Sequence, residues 1–402
     1  MIVTGGTYRE KCLEPLWDQI YGSGLRACIT ISEFDPSLDV QFHTFADQRF
    51  QGHLAYINSS YTGLSVSTYP INKGFQFFYD HPLKTPVISP RLDLVNQQQV
   101  HIKTTRKDDI LSFGALEGSF SYSANRVVYD PQSPVNPIPF SALDCTANEL
   151  VTVINYSEAR IISSKEDIDD IKEFFFNEEN CFALVLKLGP KGALVFDKEG
   201  KTKNIPVYQT QRVWPIGSGD VFSAHFAHTW FSKGDVFEAA EFASKATASY
   251  CNTRVLDVKE DIALNKFEPI KMDSTSSKRV YLAGPFFTFA QRWLINEIRN
   301  SLGHAGLSVF SPFHDVGLGS AMDVAKKDLE GLENCSVVFA VLDGLDSGTL
   351  FEIGYAVKLG LPVICFVQNE SDESLKMLVG SQCQIEQDLT TAIYKALWTA
   401  NS

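Results

Sequence analysis

The sequence has no Cys-x-x-Cys pair, no excess of basic residues and no long apolar run, and each absence narrows what the protein can do. Its eight cysteines stand singly along 402 residues, which indicates neither a zinc cage nor a disulfide framework and suits a reducing cytosol. The formal charge of −13 argues against a nucleic acid partner, since phosphate backbones are bound by concentrated basic surfaces. No apolar run is long enough to span a membrane, and residues 1–20 lack a signal-peptide layout. We therefore expect a cytoplasmic protein that acts on small molecules, without membrane partners.

The remaining composition is that of an ordinary globular protein, with 44% hydrophobic and 21% charged residues. A chain of 402 residues is long enough for two domains that each bury a core. The clearest boundary is the polar stretch Lys271-Met-Asp-Ser-Thr-Ser-Ser277. We therefore predict a first domain over residues 1–270, a linker over 271–277 and a second domain over 278–402.

Apolar strand patterns and helical patterns alternate regularly in the second domain. The predicted strands are 279–283, 307–311, 336–342 and 361–367, and the predicted helices lie near 289–303, 320–332, 348–359 and 388–399. Such alternation predicts a doubly wound, Rossmann-like α/β domain whose parallel sheet is covered on both faces. Ligands bind such sheets beyond the carboxyl ends of the strands. We therefore expect the site at 281–287, His314 and 343–352.

Two carboxylates lie six residues apart at one of these strand ends, in Asp346-Ser-Gly-Thr-Leu-Phe-Glu352. If Glu352 lies in the first turn of the helix, it is near backbone N–H groups and should stay ionised. Such a carboxylate can attack, or electrostatically stabilise, an electron-poor sugar carbon. Thr349-x-x-Glu352 is also a capping box, which would make the motif a helix start and nothing more. On this pair alone both interpretations stay open.

Three segments of the second domain, taken together, resemble the nucleoside 2-deoxyribosyltransferase family. They are Tyr281-Leu-Ala-Gly-Pro285, Asp328 on the helix before the third segment's strand, and Asp346-x-Gly-Thr-x-Phe-Glu-x-Gly354. The resemblance extends over residues 279 to about 395.

The resemblance implies cleavage of the N-glycosidic bond between a base and ribose or 2-deoxyribose. Glu352 would be the nucleophile at C1′, Tyr281 would orient it, and Asp346 and Asp328 would hold the substrate and help protonate the leaving base. No cofactor is implied for this domain. Whether water or a second base accepts the sugar stays open.

Further residues at the strand ends are expected to contact the substrate. These are Gly284, Pro285, Phe286, Phe287, His314, Asp343, Gly348 and Met377. Phe286 and Phe287 could stack on a base, while a turn histidine bonded to Asp315 is the competing interpretation of His314. Arg292 could meet a phosphate or carboxylate, or be merely solvated. The family also uses an Asn and a Met from a neighbouring subunit, and this chain keeps Met377 without the Asn. The resemblance thus implies a homo-oligomer, while the missing Asn, a departure from the family, favours hydrolysis or a broadened substrate.

The first domain is less regular. Strands are predicted at 109–113, 126–129 and 182–188, helices near 164–176 and 220–231, and a smaller sheet or lid within 40–90. Gly217-Ser-Gly-Asp220 places a glycine-rich turn at a helix start, where N–H groups form an anion hole and Asp220 could accept a hydroxyl proton. A helix cap with a tight turn is the alternative.

Asn155-x-x-Glu158, Tyr129-Asp-Pro131 and Lys187-Leu-Gly-Pro-Lys-Gly192 accompany that turn, and together they resemble the ribokinase (PfkB) family of sugar and nucleoside kinases. The resemblance implies a ribokinase-like α/β fold with a small β lid. It also implies Mg and ATP as cofactors if the kinase is active, and Asp220 as the base. The implied phosphate and ATP contacts are Gly217, Ser218, Gly219, Asn155 and Glu158.

Several positions depart from the PfkB pattern. Trp214-Pro-Ile216 stands where the family has Asp-Thr-Thr, Lys187 where it has Thr, and Glu10 where Asp is common; the sugar-binding segment reads Tyr21-Gly-Ser-Gly-Leu-Arg26. Three hypotheses follow. In the first, the chain is a two-domain nucleoside- or nucleotide-processing enzyme. In the second, it is a glycosidase that depletes nucleotides or NAD in stress or defence and is gated by a degenerate, ligand-sensing domain. In the third, it is a non-catalytic oligomeric binding protein. No metal site is predicted, since His225 and His228 lack partners at ligand spacing.

Overall fold

The structure is a computed structural model. It describes residues 1–95, 97–133, 135–258, 267–271 and 278–401. The chain forms two compact units: unit 1 comprises residues 1–210 and 214–269, and unit 2 comprises 211–213 and 270–402. Apart from Lys271, the predicted linker lies outside the described residues. Residues 211–213 join unit 2, where the Val213 N–H donates to Thr391 Oγ1 at 3.0 Å.

Unit 1 combines two sheets with flanking helices. Its strands are β1 (Ile2–Thr4), β2 (Arg9–Cys12), β3 (Trp17–Ile20), β4 (Val40–Ala46), β5 (Leu64–Pro70), β6 (Gln76–Tyr79), β7 (Val87–Ser89), β8 (Gln98–His101), β9 (Asp109–Phe113), β10 (Gly118–Asp130), β11 (Cys145–Asn155), β12 (Ala183–Lys187), β13 (Ala193–Asp197) and β14 (Thr202–Ile205). Its helices are α1 (Gly22–Phe34), α2 (Gln48–Ser60), α3 (Tyr156–Ser163), α4 (Ile168–Asn177), α5 (Ser218–Lys233) and α6 (Val236–Thr253).

The main sheet of unit 1 has the strand order β14-β13-β12-β11-β10-β9-β1-β4-β5, with β8 paired to β10. Seven neighbouring strands of this sheet are parallel to one another: β12, β11, β10, β9, β1, β4 and β5. At one edge, β13 pairs antiparallel with β12, and β14 pairs antiparallel with β13. Because β10, β11 and β12 are parallel, their carboxyl ends lie at one edge, and these ends carry Asp130, Asn155 and Lys187. A polar cluster therefore forms beside the start of α5.

A second, four-stranded sheet has the order β3-β2-β6-β7. The predicted small sheet within 40–90 is therefore only partly right: β6 and β7 belong to it, but β4 and β5 join the main sheet, and its other strands come from residues 9–20. The reason is burial. Most residues of β4 are buried, as in a strand covered on both faces, and Val40, Phe42 and Phe45 belong to the core.

Unit 2 is a five-stranded, wholly parallel sheet with the order β16-β15-β17-β18-β19. Its elements are β15 (Arg279–Ala283), α7 (Phe289–His304), β16 (Ser308–Phe310), α8 (Ala321–Glu333), β17 (Val337–Val341), α9 (Ser347–Lys358), β18 (Val363–Phe366), α10 (Asp372–Gly380), β19 (Gln384–Glu386) and α11 (Leu389–Asn401). The predicted alternation is confirmed, with α10 and β19 as additions. In the described part of the chain, the helices lack the combined length and apolar character that a membrane crossing needs.

Candidate active site

A tyrosine and a glutamate meet at the carboxyl edge of the unit 2 sheet. Tyr281, on β15, which pairs with the central strand β17, is fully buried, and its hydroxyl donates to Glu352 Oε1 at 2.7 Å. Glu352 projects from α9, which follows the neighbouring strand β17. Burial raises the pKa of Glu352 to about 7, since the Tyr281 hydrogen bond only partly offsets it and the charges of Asp328 and Asp346 add to it. The arrangement holds a carboxyl group that titrates near neutral pH.

The helix that carries Glu352 begins earlier than the sequence suggested. Asp346 is its N-cap, and Asp346 Oδ2 accepts from the Thr349 N–H at 2.9 Å and from Thr349 Oγ1 at 3.0 Å. Thr349 is therefore the third helical residue and not a cap. Glu352 lies beyond the first turn, so the prediction that the helix start keeps it ionised is wrong. Its pKa moves up because desolvation prevails.

Asp328 lies on α8, close enough to Glu352 and Tyr281 for their charges to interact. Burial raises its pKa. Among the described residues, its Oδ1 is buried without a hydrogen-bond partner. A buried oxygen without a partner is costly unless something else bonds to it. The structure thus brings together Glu352, Tyr281, Asp328 and Asp346.

The loop after β15 carries aromatic side chains. Phe286 packs against Phe287 and Phe313, with ring centroids 5.4 and 5.2 Å apart. Arg292, at the start of α7, donates to the Phe286 and Phe287 carbonyls at 2.9 and 3.1 Å. Phe287 is 65% exposed. Arg292 therefore supports this loop and is more than a solvated side chain, and its contact with a substrate phosphate or carboxylate stays a prediction.

His314 and Asp343, which were also expected to contact the substrate, form hydrogen bonds with protein groups around the site. Both ring nitrogens of His314 are engaged, with Ser311 Oγ at 3.1 Å and Asn296 Oδ1 at 2.8 Å, so its hydrogen-bond partner is not Asp315. Asp343 Oδ1 accepts two backbone N–H groups of the loop after β18, each at 2.9 Å.

The remaining expected substrate contacts are Gly284, Pro285, Gly348 and Met377, and they differ in packing and exposure. A Cβ on Gly284 would lie 2.9 Å from Ile295 Cδ1 and 3.0 Å from Val341 Cβ, so a larger residue would require these side chains to shift, and Pro285 beside it is buried. A Cβ on Gly348 would lie 3.1 Å from Asp346 Oδ2. Met377, on α10, is 80% exposed.

Unit 1 contains a second cluster around Asp220, the third residue of α5. Gly217 caps this helix in the left-handed region, with φ of 77° and no side-chain capping hydrogen bond, so the glycine turn adopts the predicted shape with Ser218 and Gly219 opening the helix. Both carboxylate oxygens of Asp220 are bonded: Oδ2 accepts from Arg26 Nη1 at 3.0 Å and Oδ1 accepts from Gln132 Nε2. Burial raises the pKa of Asp220, although Arg26 and Gln132 oppose this.

Arg26 is fully buried and joins two acids. It binds Glu10 through both oxygens, with Nη1 to Oε1 at 2.9 Å, in addition to Asp220. It also packs against the glycine turn, since a Cβ on Gly217 would lie 2.1 Å from Arg26 Nε. Sequence reasoning noted Arg26 and Glu10 only as departures from the PfkB pattern, and it missed Gln132, whose positive φ of 30° marks an unusual backbone.

The Asn155-x-x-Glu158 motif forms a capping box at the start of α3. Asn155 Oδ1 accepts from the Glu158 N–H at 2.9 Å, and Glu158 Oε2 accepts from the Asn155 N–H at 3.3 Å. Burial, helped by Asp130, raises the pKa of Glu158 to about 7. Lys187 Nζ lies 2.6 Å from Asp130 Oδ2.

The carboxylates at this edge of the sheet are paired with groups of the protein. Within the described ranges, no group of three or more His, Cys, Asp or Glu side chains is arranged to hold a metal ion. Asp130, the most buried carboxylate here, already accepts from an ammonium group and from Ser223 Oγ. A magnesium ion would have to displace the Lys187 ammonium group to bind Asp130 Oδ2.

Comparisons with known proteins agree with this division. Sequence models of two families match the chain, "nucleoside 2-deoxyribosyltransferase" over residues 280–388 and "pfkB family carbohydrate kinase" over 125–255. These two regions of the chain are therefore similar to domains of two enzyme families. The region that matches the PfkB model belongs to the mixed α/β unit 1, and the region that matches the transferase model forms the wholly parallel, Rossmann-like sheet of unit 2. No curated protein matches the chain.

Similar solved structures include three sugar or nucleoside kinases. The ribokinase of Thermotoga maritima is 15% identical, with a TM-score of 0.47, over 65% of this chain and 98% of its own. The nucleoside kinase of Methanocaldococcus jannaschii is 13% identical, with a TM-score of 0.47, over 65% and 96%. The fructokinase of Vibrio cholerae O395 is 12% identical, with a TM-score of 0.47, over 64% and 95%.

Proposed function

We propose that unit 2 cleaves the N-glycosidic bond of a nucleoside or nucleotide, with Glu352 as the nucleophile at C1′. The observation that carries this proposal is the 2.7 Å hydrogen bond from the buried Tyr281 hydroxyl to Glu352 Oε1. It fixes one carboxylate oxygen and leaves Oε2 outside that bond, at the sheet edge where ligands of such folds bind. The transferase-family match over residues 280–388 supports the same reaction class.

In this reaction Glu352 Oε2 forms a bond to C1′ while the bond from C1′ to the base nitrogen breaks. Asp328 gives a proton to the leaving base, a role that suits an acid whose pKa is raised by burial. Water or a second base then attacks C1′ and releases the carboxylate, as in retaining glycosidases. Because the family's Asn is missing beside Met377, we favour water as the acceptor.

The test is to incubate the full chain with nucleosides, their 5′-monophosphates and NAD, and to measure free and exchanged base by chromatography. Free base from at least one of these compounds is expected, and exchanged base would identify a transferase. If the folded protein releases base from none of them, the proposal is wrong.

Base release should depend on pH near neutrality. Glu352 attacks as the carboxylate, and its pKa is raised to about 7, so the reactive form is lost as the pH falls through that value. Below it, the rate should fall about tenfold per pH unit. Tyr281→Phe removes a hydrogen bond that lowers this pKa, so its rate profile should move to higher pH. The measurement is the rate of base release at a series of pH values.

Tyr355→Phe is the matched control, since Tyr355 donates to Glu333, an exposed glutamate of the same unit. Its profile should coincide with that of the wild type. A profile in the wild type that stays flat between pH 5 and 8 would show that no group with this pKa carries the reaction.

For unit 1 we propose a ligand-sensing domain that gates unit 2, rather than a kinase that uses Mg and ATP. The supporting observation is that Arg26 and Gln132 engage both oxygens of Asp220, the residue that would accept the hydroxyl proton. A carboxylate held in this way has to break a buried ion pair before it can act as a base.

The test adds Mg-ATP to the same mixtures and looks for phosphorylated product. None is expected from the wild type. A phosphorylated nucleoside or sugar that disappears in Asp220→Ala would establish kinase activity and overturn the proposal for unit 1.

A further inference from the structure

Lys187 places a buried ammonium group among the carboxylates at the edge of the unit 1 main sheet. Its Nζ lies 2.6 Å from Asp130 Oδ2, and the same oxygen accepts from Ser223 Oγ at 2.7 Å. The Asp130 side chain is fully buried and that of Lys187 is 15% exposed. A buried ammonium group is tolerated only when it is paired. Although burial acts to lower the pKa of Lys187, Asp130 and Glu158 raise it, so this group remains charged.

The same ammonium group lies beside the glycine turn and a second acid. A Cβ on Gly219 would be 3.5 Å from Lys187 Nζ, which places the charge at the start of α5. Glu158 is close enough for its charge to interact with that of Lys187. Lys187 thus lies between Asp130, Glu158 and the glycine turn.

We propose that Lys187 supplies, as a side chain, the positive charge that a divalent cation would otherwise bring to Asp130 and Glu158. These carboxylates then hold no divalent cation, because an ammonium group and a metal ion repel each other strongly in a buried environment. Ligand binding at this edge of unit 1 is consequently independent of magnesium. The inference concerns a site separate from Glu352, so it stands or falls independently of the cleavage reaction.

Removal of Lys187 would leave the Asp130 carboxylate without its cationic partner. Asp130 Oδ1 is buried and has no hydrogen-bond partner among the described residues, and Asp130 Oδ2 would lose its ammonium partner. Asp130 would then offer two oxygens, with Glu158 nearby, and hard divalent cations prefer such oxygen ligands. Lys187→Thr should therefore create a cation site.

The experiment measures Mn²⁺ binding to the full chain by electron paramagnetic resonance. Wild type and Lys187→Arg, which keeps the charge, should leave Mn²⁺ free at this site. Lys187→Thr should bind it at least roughly tenfold more tightly, a change of the size seen when the surroundings of a metal site are altered. Adding Asp130→Asn to Lys187→Thr should abolish the gain. Lys191→Thr, at an exposed lysine of the following turn, should behave as the wild type.

Two results would overturn the proposal. One is Mn²⁺ binding by the wild type that Asp130→Asn or Glu158→Gln removes. The other is a folded Lys187→Thr protein, judged by circular dichroism, that binds Mn²⁺ no better than the wild type. The first result needs only the wild type, Asp130→Asn and Glu158→Gln, so it can refute the proposal even if Lys187→Thr does not fold.

Discussion

Replacing Glu352 with glutamine should abolish base release and leave unit 2 folded. The amide cannot attack C1′, but its oxygen can still accept the hydrogen bond from Tyr281, so the local geometry should survive. Loss of a nucleophile typically costs roughly three orders of magnitude or more in rate. Since Glu352 is also mostly buried with a raised pKa, removing its charge should not destabilise the unit.

Glu333→Gln is the matched control, because Glu333 also accepts from a tyrosine hydroxyl, that of Tyr355, yet lies on the surface. The rate of base release should be unchanged in this variant. The measurement is initial rate on the best substrate, with circular dichroism to verify folding. Base release by Glu352→Gln at the wild-type rate would remove Glu352 from the chemistry.

Replacing Arg26 with methionine should destabilise unit 1 more than any surface substitution. The side chain is fully buried between Glu10 and Asp220, so its loss leaves two buried carboxylates without their partner. Breaking a buried ion pair in this way costs about 3–5 kcal/mol of unfolding free energy. Hydrogen exchange of peptides from α1 and α5 in increasing urea would report this loss for unit 1 alone.

Arg91→Met is the control, since Arg91 pairs with Asp93 at the surface, and it should change stability by less than about 1 kcal/mol. Adding Glu10→Gln and Asp220→Asn to Arg26→Met should restore much of the loss, because the acids then carry no charge. If Arg26→Met is no more destabilising than Arg91→Met, the ion cluster does not hold unit 1 together.

The alternation of strands and helices in unit 2 could be predicted because each apolar strand is short and flanked by amphipathic helices. Helix α10 was missed because it is short and its apolar residues do not share one face: Leu375 and Leu378 are buried, whereas Met377 and Val379 are exposed. Strand β19 was missed because it has three residues at the sheet edge and none of them is fully buried. Short edge strands leave little hydrophobic pattern to detect.

The pairing of Tyr281 with Glu352 was implied by the resemblance to the transferase family, and the adjacent parallel strands β15 and β17 explain why the two side chains meet. The start of α9 could not be placed, since Asp346 and Thr349 are both good N-caps and only the loop geometry selects Asp346. The contact between Arg26 and Asp220 joins residues 194 positions apart. Nothing local in the sequence predicts a contact across that distance.

The most direct test of the central claim is to map the adduct left by a 2-deoxy-2-fluoro nucleoside, whose fluorine slows release of the sugar from a covalent intermediate. Mass spectrometry of the digested protein should find the fluorosugar on the peptide that contains Glu352, and should find none in Glu352→Gln. A sugar attached to another residue, or the same adduct in Glu352→Gln, would contradict the assignment of Glu352 as the nucleophile.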